Sequence, residues 1–171
     1  MRDDLSDDVD KLARQGDLDA ALEIALRCTE ATPENAQAWN KLAYVHQLRR
    51  DFDQALRAIQ TAVVLDPDHA GLWFERGVIE YRLAQYGVAA ETFDTCVHVC
   101  RESGKDYYLD AARIASGQSY FAAHEYQHAA DAIDGVNPES ATWLEGRLTA
   151  ARLSGAIAER LSIASAARMR I

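Results

Sequence analysis

Three consecutive stretches of this chain repeat one another at a fixed spacing of 34 residues. Trp39 returns as Trp73, Ala21 as Ala55 and then Ala89, and Pro33 as Pro67. The fullest copy is residues 36–69, which holds Trp39, Leu42, Ala43, Ala55, Leu56, Ile59, Ala62, Leu65 and Pro67. A period of this length means a chain of stacked units, each too small to bury its own apolar face alone.

Inside each copy the apolar spacing is helical. Leu5, Val9 and Leu12 share one face of a helix over residues 3–14. Gly16-Asp17 breaks it, because Gly takes the left-handed conformation that ends helices and Asp caps the next one. Leu18–Glu30 forms the partner helix, with small Ala21, Ala25 and Cys28 allowing close approach, until Pro33 stops it. The second copy predicts helices over residues 36–48 and 52–65 around the turn Arg49-Arg50-Asp51, where Arg50 replaces the usual Gly. The third keeps Trp73, Gly77, Tyr86, Ala89, Phe93 and Cys96 but has Arg101 in place of the closing Pro, so its second helix is expected to run toward Ser103-Gly104.

The period then slips. Tyr86-x-x-Ala89 returns as Tyr126-x-x-Ala129 after 40 residues, which places a six-residue insertion in VCRESGKDYYLD. The fourth copy keeps Gly117, Tyr120, Ala129, Ile133 and Pro138, with Arg113 where the Trp stood. From Glu139 onward, Trp143, Leu144 and Leu148, a turn at Ser154-Gly155 and a second helix over Ala156–Arg170 read as a closing helix pair.

The order of Trp, Leu with a small residue, aromatic, Ala, apolar, Ala and Pro resembles the tetratricopeptide repeat. The resemblance implies an all-α, right-handed α-solenoid of about four helix pairs plus a C-terminal capping pair, as a single domain over residues 1–171. The repeats fall at about 2–35, 36–69, 70–103 and 110–138, with the last pair at 139–171. It also implies a concave groove lined by the first helix of each pair. Residues one, five and eight after the Trp face into it: Asn40, Tyr44 and Gln47, then Phe74, Val78 and Tyr81 with neighbouring Arg82, then Ile114, Gln118 and Phe121. Rings offer buried area and amides satisfy a backbone, a combination suited to a peptide or helix. Phe74 and Phe121 read equally as groove or as core between repeats.

The expected function is a non-enzymatic scaffold or adaptor that binds a protein or peptide partner in that groove. Its narrower forms are a chaperone, as the class II chaperones of type III secretion are similarly short, acidic and all-repeat, or a regulatory or immunity protein. The alternative is a self-assembling structural unit, a homo-oligomer through the terminal repeats or the last helix. Chaperone adaptors with these repeats grip a C-terminal carboxylate through Lys, Asn and Arg at set positions. Those positions are Ser6, Asp10, Lys41, Gly71 and Glu75 in one frame, and Asn40, Tyr44, Glu75, Ala111 and Ala115 in the next. Neither frame supplies the positive charge a carboxylate needs, which argues against a heat-shock-tail adaptor.

Charge and composition exclude other classes. The net charge of −9 opposes attraction to nucleic acid or anionic lipid, so neither is expected as a partner. Residues 1–34 carry ten acidic and four basic side chains, a net of −6, whereas residues 139–171 carry three and five, a net of +2. That asymmetry motivates the self-assembly alternative, although solvated helix faces are the favoured explanation. There is no run of 18 apolar residues, and the acidic start MRDDLSDDVD has no apolar run, so neither a membrane span nor a secretory signal is expected. Cys28, Cys96 and Cys100 are an odd, scattered set, which fits reduced thiols and a cytoplasmic location.

One string carries an enzyme signature. His124-Glu125-Tyr126-Gln127-His128 matches HExxH, which supplies two zinc ligands and a base when both His lie on one helical face. The repeat register places His124 where Gly16 stands, in a turn, and His128 on the following helix, so a solvated turn is the expected reading. Cys96 and Cys100 are spaced i, i+4 around His98, but Cys96 fills the small-residue slot of Cys28 and Ala62. There is no Gly-rich phosphate loop and no recognisable nucleophile signature. No catalytic residue, cofactor or metal is expected.

Overall fold

The computed structural model describes residues 3–134, 136 and 144–168. Among them lie nine α-helices, one 3-10 turn and no strand. The chain divides into two compact units, Met1–Leu83 and Ala84–Ile171.

Unit 1 contains α1 (Asp3–Gln15), α2 (Leu18–Ala31), α3 (Ala36–Leu48), α4 (Phe52–Leu65) and α5 (Ala70–Arg82). Each consecutive pair packs together, and α1 also touches α3. The helices start and stop where the sequence places its signals. The Asp17 carboxylate accepts from the Ala20 amide at 3.3 Å, and the Asn35 side-chain oxygen accepts from the Gln37 amide at 2.9 Å. The core is mostly short side chains: Ala21 and Ala25 of α2, Ala55, Ala58, Ile59 and Ala62 of α4, and Val9, Ala43, Leu72 and Ile79 between them. Small residues on the second helices let the first helices approach closely, which explains the 34-residue recurrence of Ala.

Both Trp rings of unit 1 are half-buried, less than their place in the repeat suggests. Their second role is a hydrogen bond. Trp39 Nε1 donates to the Pro33 carbonyl at 2.8 Å and Trp73 Nε1 to the Pro67 carbonyl at 2.7 Å. The Trp that opens a copy therefore ties down the Pro turn that closes the copy before it. The two residue types recur together because they bond each other, and they vanish together: at the next joint Arg101 stands where the Pro stood and Arg113 where the Trp stood. Arg113 instead pairs with Asp110 at 3.6 Å.

The turns between the helices of a pair share one backbone geometry. Gly16, Arg50, Ala84 and His124 all have positive φ, at 82°, 65°, 59° and 65°. At Gly16, Arg50 and His124 a paired bond closes the helix end: the αL residue donates to the carbonyl three back and its successor to the carbonyl five back. Left-handed backbone costs an L-residue about 1–2 kcal/mol, so three of the four turns hold strain that Gly16 avoids.

Unit 2 contains α6 (Tyr86–Ser103), a 3-10 turn (Asp106–Tyr108), α7 (Leu109–Ala122), α8 (Tyr126–Asp134) and α9 (Leu144–Arg168). The inserted residues lie in the segment expected. α6 has 18 residues against 14 in α2 and α4, ends on Gly104 at φ 63°, and leads into the 3-10 turn. α7 packs on α6, α8 and α9. A Cβ at Gly117 would stand 2.6 Å from Ile133 Cγ2 and 3.3 Å from both the Ala129 carbonyl oxygen and Leu153 Cδ2, so α7 meets α8 and α9 there only without a side chain.

The closing segment differs from the reading of a helix pair. α9 runs as one helix through Ser154-Gly155, where a turn was expected. Ala150, Ala151, Ala156 and Ala158 favour helix on both sides, and buried Leu153 and Ile157, spaced i, i+4, anchor the backbone across the Gly. Pro138, Glu139 and Trp143 lie outside the described residues.

Candidate functional site

In unit 1 the first helices of successive copies are joined by side-chain bonds, and these define the face they share. Lys41 Nζ of α3 bonds Asp10 Oδ2 of α1 at 2.7 Å, and Gln47 Nε2 of α3 donates to Glu75 Oε2 of α5 at 3.3 Å. Helical spacing then sorts the neighbours. On α3, Leu42, Ala43 and Val45 are buried, while Asn40, Tyr44 and Gln47, spaced four and three apart, hold the opposite stripe. On α5 the stripe is Phe74, Val78, Tyr81 and Arg82.

Tyr44 is 41% exposed and Tyr81 38%. Asn40, Gln47, Phe74 and Val78 are half-buried and Arg82 is exposed. Two partly exposed rings therefore border a floor of amides and apolar groups. Glu75 is set into that floor, and burial pushes its carboxyl above the usual range while the Gln47 amide pulls the other way. Sequence reading met Glu75 and Lys41 only as misfits to a carboxylate grip. Their signal was their place, one residue after Phe74 and Asn40.

In unit 2 the three candidates on α7 have different surroundings. Ile114 is only 5% exposed and belongs to the buried set, so it offers no surface. Isoleucine one residue after the former Trp position simply completes the helix packing. Gln118 is half-buried, and Phe121 packs with the Ala129, Leu153 and Ile157 cluster and meets the Tyr126 ring edge-on at 5.4 Å. Asp94 of α6 fastens α7 beside them, accepting from Ser116 Oγ at 2.6 Å and Tyr120 OH at 2.7 Å. Burial first, then that bond to Asp94, raises the Tyr120 pKa and holds its proton in place.

The HExxH string is divided as the register requires. His124 is the left-handed turn residue and α8 begins only at Tyr126. His124 Nδ1 lies 2.9 Å from Tyr126 OH, and His128 Nδ1 lies 2.8 Å from Glu125 Oε2. The two imidazoles thus face different partners, and the intended base pairs with one of the intended ligands. Among the described residues no three His, Cys, Asp or Glu side chains form a group able to hold a metal ion. Cys96 and Cys100 are buried thiols on α6. No helix of the described residues is long and apolar enough to cross a membrane.

Comparison with known proteins agrees with this architecture. Two family models, both described as tetratricopeptide repeat, match residues 42–116 and 9–50. The human protein SGT1 homolog is 31% identical over 77 residues, covering 45% of this chain and 21% of that protein. The match thus spans about a fifth of the length of the curated relatives. The crystal structure of MamA protein superposes with a TM-score of 0.70 at 17% identity, covering 94% of this chain and 88% of that one. The TPR2B domain of yeast Sti1, in its complex with pHsp70, gives 0.64 at 16% identity, covering 72% and 96%. At such identities the structural likeness speaks to the fold.

Proposed function

The chain belongs to the tetratricopeptide repeat family, and we propose that it holds a segment of a partner protein on the first-helix face of unit 1. Repeats of this family are protein-interaction scaffolds, and the scaffold reading follows from the family. The choice of face rests on one observation: Tyr44 stands 41% exposed above half-buried Asn40 and Gln47, on helices already braced by Asp10–Lys41 and Gln47–Glu75. A ring on a braced helix buries area on binding at little entropic cost. Amides beside it can satisfy the backbone of an arriving strand or helix.

Complexes with pHsp70 are known for the Sti1 domain, but a free carboxylate finds little here. Lys41, the one cation in the clamp frames, is already paired with Asp10. A chaperone for a protein awaiting export and a regulatory cover for a partner both fit the same chemistry, and the identity of the partner separates them. The test is an Asn40→Ala, Tyr44→Ala double variant, used beside the wild type to recover partners from the native host. A shared melting curve with loss of about thirtyfold in affinity, the effect of an interface-centre aromatic, supports the face. Full affinity with an unchanged melt would move the contact elsewhere.

A second reading, self-association, draws on α9. That helix has 25 residues against nine in α8, and Ile163 near its end is 56% exposed. A light-scattering mass that stays at one chain across a wide concentration range would remove it.

A further inference from the structure

We propose that the partner segment received by unit 1 is basic, with a Lys or Arg seated on Glu75 and its apolar side chains against Tyr44 and Tyr81. This rests on the first-helix face being the binding face. It adds the chemistry of the occupant.

The inference starts from an imbalance of charge. Glu75 is half-buried in the face, and among the described residues the side chain that bonds it is the neutral amide of Gln47, at 3.3 Å. Three cations on the surrounding helices are committed to other acids. Lys41 is held by Asp10 at 2.7 Å, and Arg76 by Glu80 at 2.8 Å while lying 5.6 Å above the Trp73 ring. Arg49 is shared by Asp19 and Asp51. Arg82 lies seven residues further along α5, about 10 Å along the axis at 1.5 Å per residue. The carboxyl also bears the mark of a desolvated anion: burial is the larger influence on it and no neighbouring cation offsets that.

A half-buried acid without a cation bears part of its desolvation cost uncompensated, and such perturbed groups cluster at functional sites. A partner ammonium or guanidinium would compensate that cost at a position partly shielded from water, where charge pairs are worth more than on an open surface. The exposed Tyr rings strengthen the case, since a ring face attracts the same cations. The acidic balance of the chain, −9 overall, favours approach of a basic segment.

The probe is a random dodecapeptide library displayed on phage, panned against the full chain. Peptides selected by the wild type are expected to carry Lys or Arg at a fixed distance from an aromatic or aliphatic anchor. Measured by fluorescence polarisation, they should lose about tenfold or more in affinity for Glu75→Gln and keep it for Glu23→Gln, an exposed acid on α2. Replacing the selected cation by Gln should then cost nothing further in the Glu75→Gln background. Selected peptides without basic enrichment, or with unchanged affinity for Glu75→Gln, would overturn the basic-partner proposal. If those peptides still depend on Tyr44, the face itself stands. Peptides indifferent to both Glu75→Gln and Tyr44→Ala, or no selected peptide at all, would remove the face and the proposal together.

Discussion

Replacing Arg50 by glycine should stabilise this protein, although it deletes a whole charged side chain. Arg50 has φ 65°, is exposed, and its side chain takes part in none of the hydrogen bonds or ion pairs described above. What matters is its backbone, closed by bonds from Arg50 N to Gln47 O at 3.0 Å and from Asp51 N to His46 O at 2.9 Å. A Cβ in that left-handed conformation costs about 1–2 kcal/mol. Glycine removes this but gives the unfolded chain more freedom, worth about 0.5–1 kcal/mol. The net gain is about 0.5–1 kcal/mol, or roughly 1–4 °C in Tm for a chain of this size. Two companions isolate the cause. Arg50→Ala should leave stability near the wild type, since alanine keeps the Cβ. Gly16→Ala should lose about 0.5–1 kcal/mol by the same two terms reversed, although no atom lies within 4 Å of the added Cβ, because only the conformation at φ 82° opposes it. Urea denaturation followed by far-UV circular dichroism reads all three. A destabilised Arg50→Gly, or a neutral Gly16→Ala, would refute the assignment of strain to backbone handedness.

Trp39→Phe keeps most of the ring but removes the donor to the Pro33 carbonyl, and should cost about 1–2 kcal/mol in the same denaturation assay; an unchanged midpoint would show that water replaces the bond at no cost. Gly117→Ala should destabilise by about 1–3 kcal/mol despite the better helix propensity of alanine, because Ile133 and Leu153 must move. Glu75→Gln should raise the denaturation midpoint at pH 7. The folded pKa of Glu75 lies above its unfolded value, so its favourable contribution is complete below the unfolded value and is lost as pH rises through the folded one. The advantage of the variant should therefore shrink as pH falls to about 4, and an advantage independent of pH would refute the desolvation cause.

Most helix bounds were legible because the punctuation repeats. Pro33 and Pro67 mark one joint, Gly16 and Arg50 share another in the register, and α3 and α4 begin and end where that register places them. His124 could be assigned to a turn from the register alone, against the HExxH pattern, since position in a repeat carries more information than a five-residue string. The Trp–Pro bond was hidden because recurrence shows that two residues matter without showing that they touch. Ser154-Gly155 misled for the opposite reason: it lies outside the register, and a local break signal was overruled by the packing of Leu153 and Ile157. Glu75 was invisible as a candidate because its meaning depends on which neighbouring cations are already taken, a property of the packed helices rather than of any motif.

The bond from each indole to its proline carbonyl bears on how quickly the chain folds. It joins residues only six apart, whereas the bonds that Asp94 makes to Ser116 and Tyr120 close loops of 22 and 26 residues. Closing a loop about four times longer costs about 1 kcal/mol more in chain entropy, before side-chain ordering is counted. Local contacts also favour early structure in the folding barrier. The expected order is that the Trp39 and Trp73 joints form in the transition state and the Asp94 joint later. Stopped-flow refolding would then give high φ-values for Trp39→Phe and low ones for Ser116→Ala, and the reverse ranking would show that the longer contacts nucleate the fold.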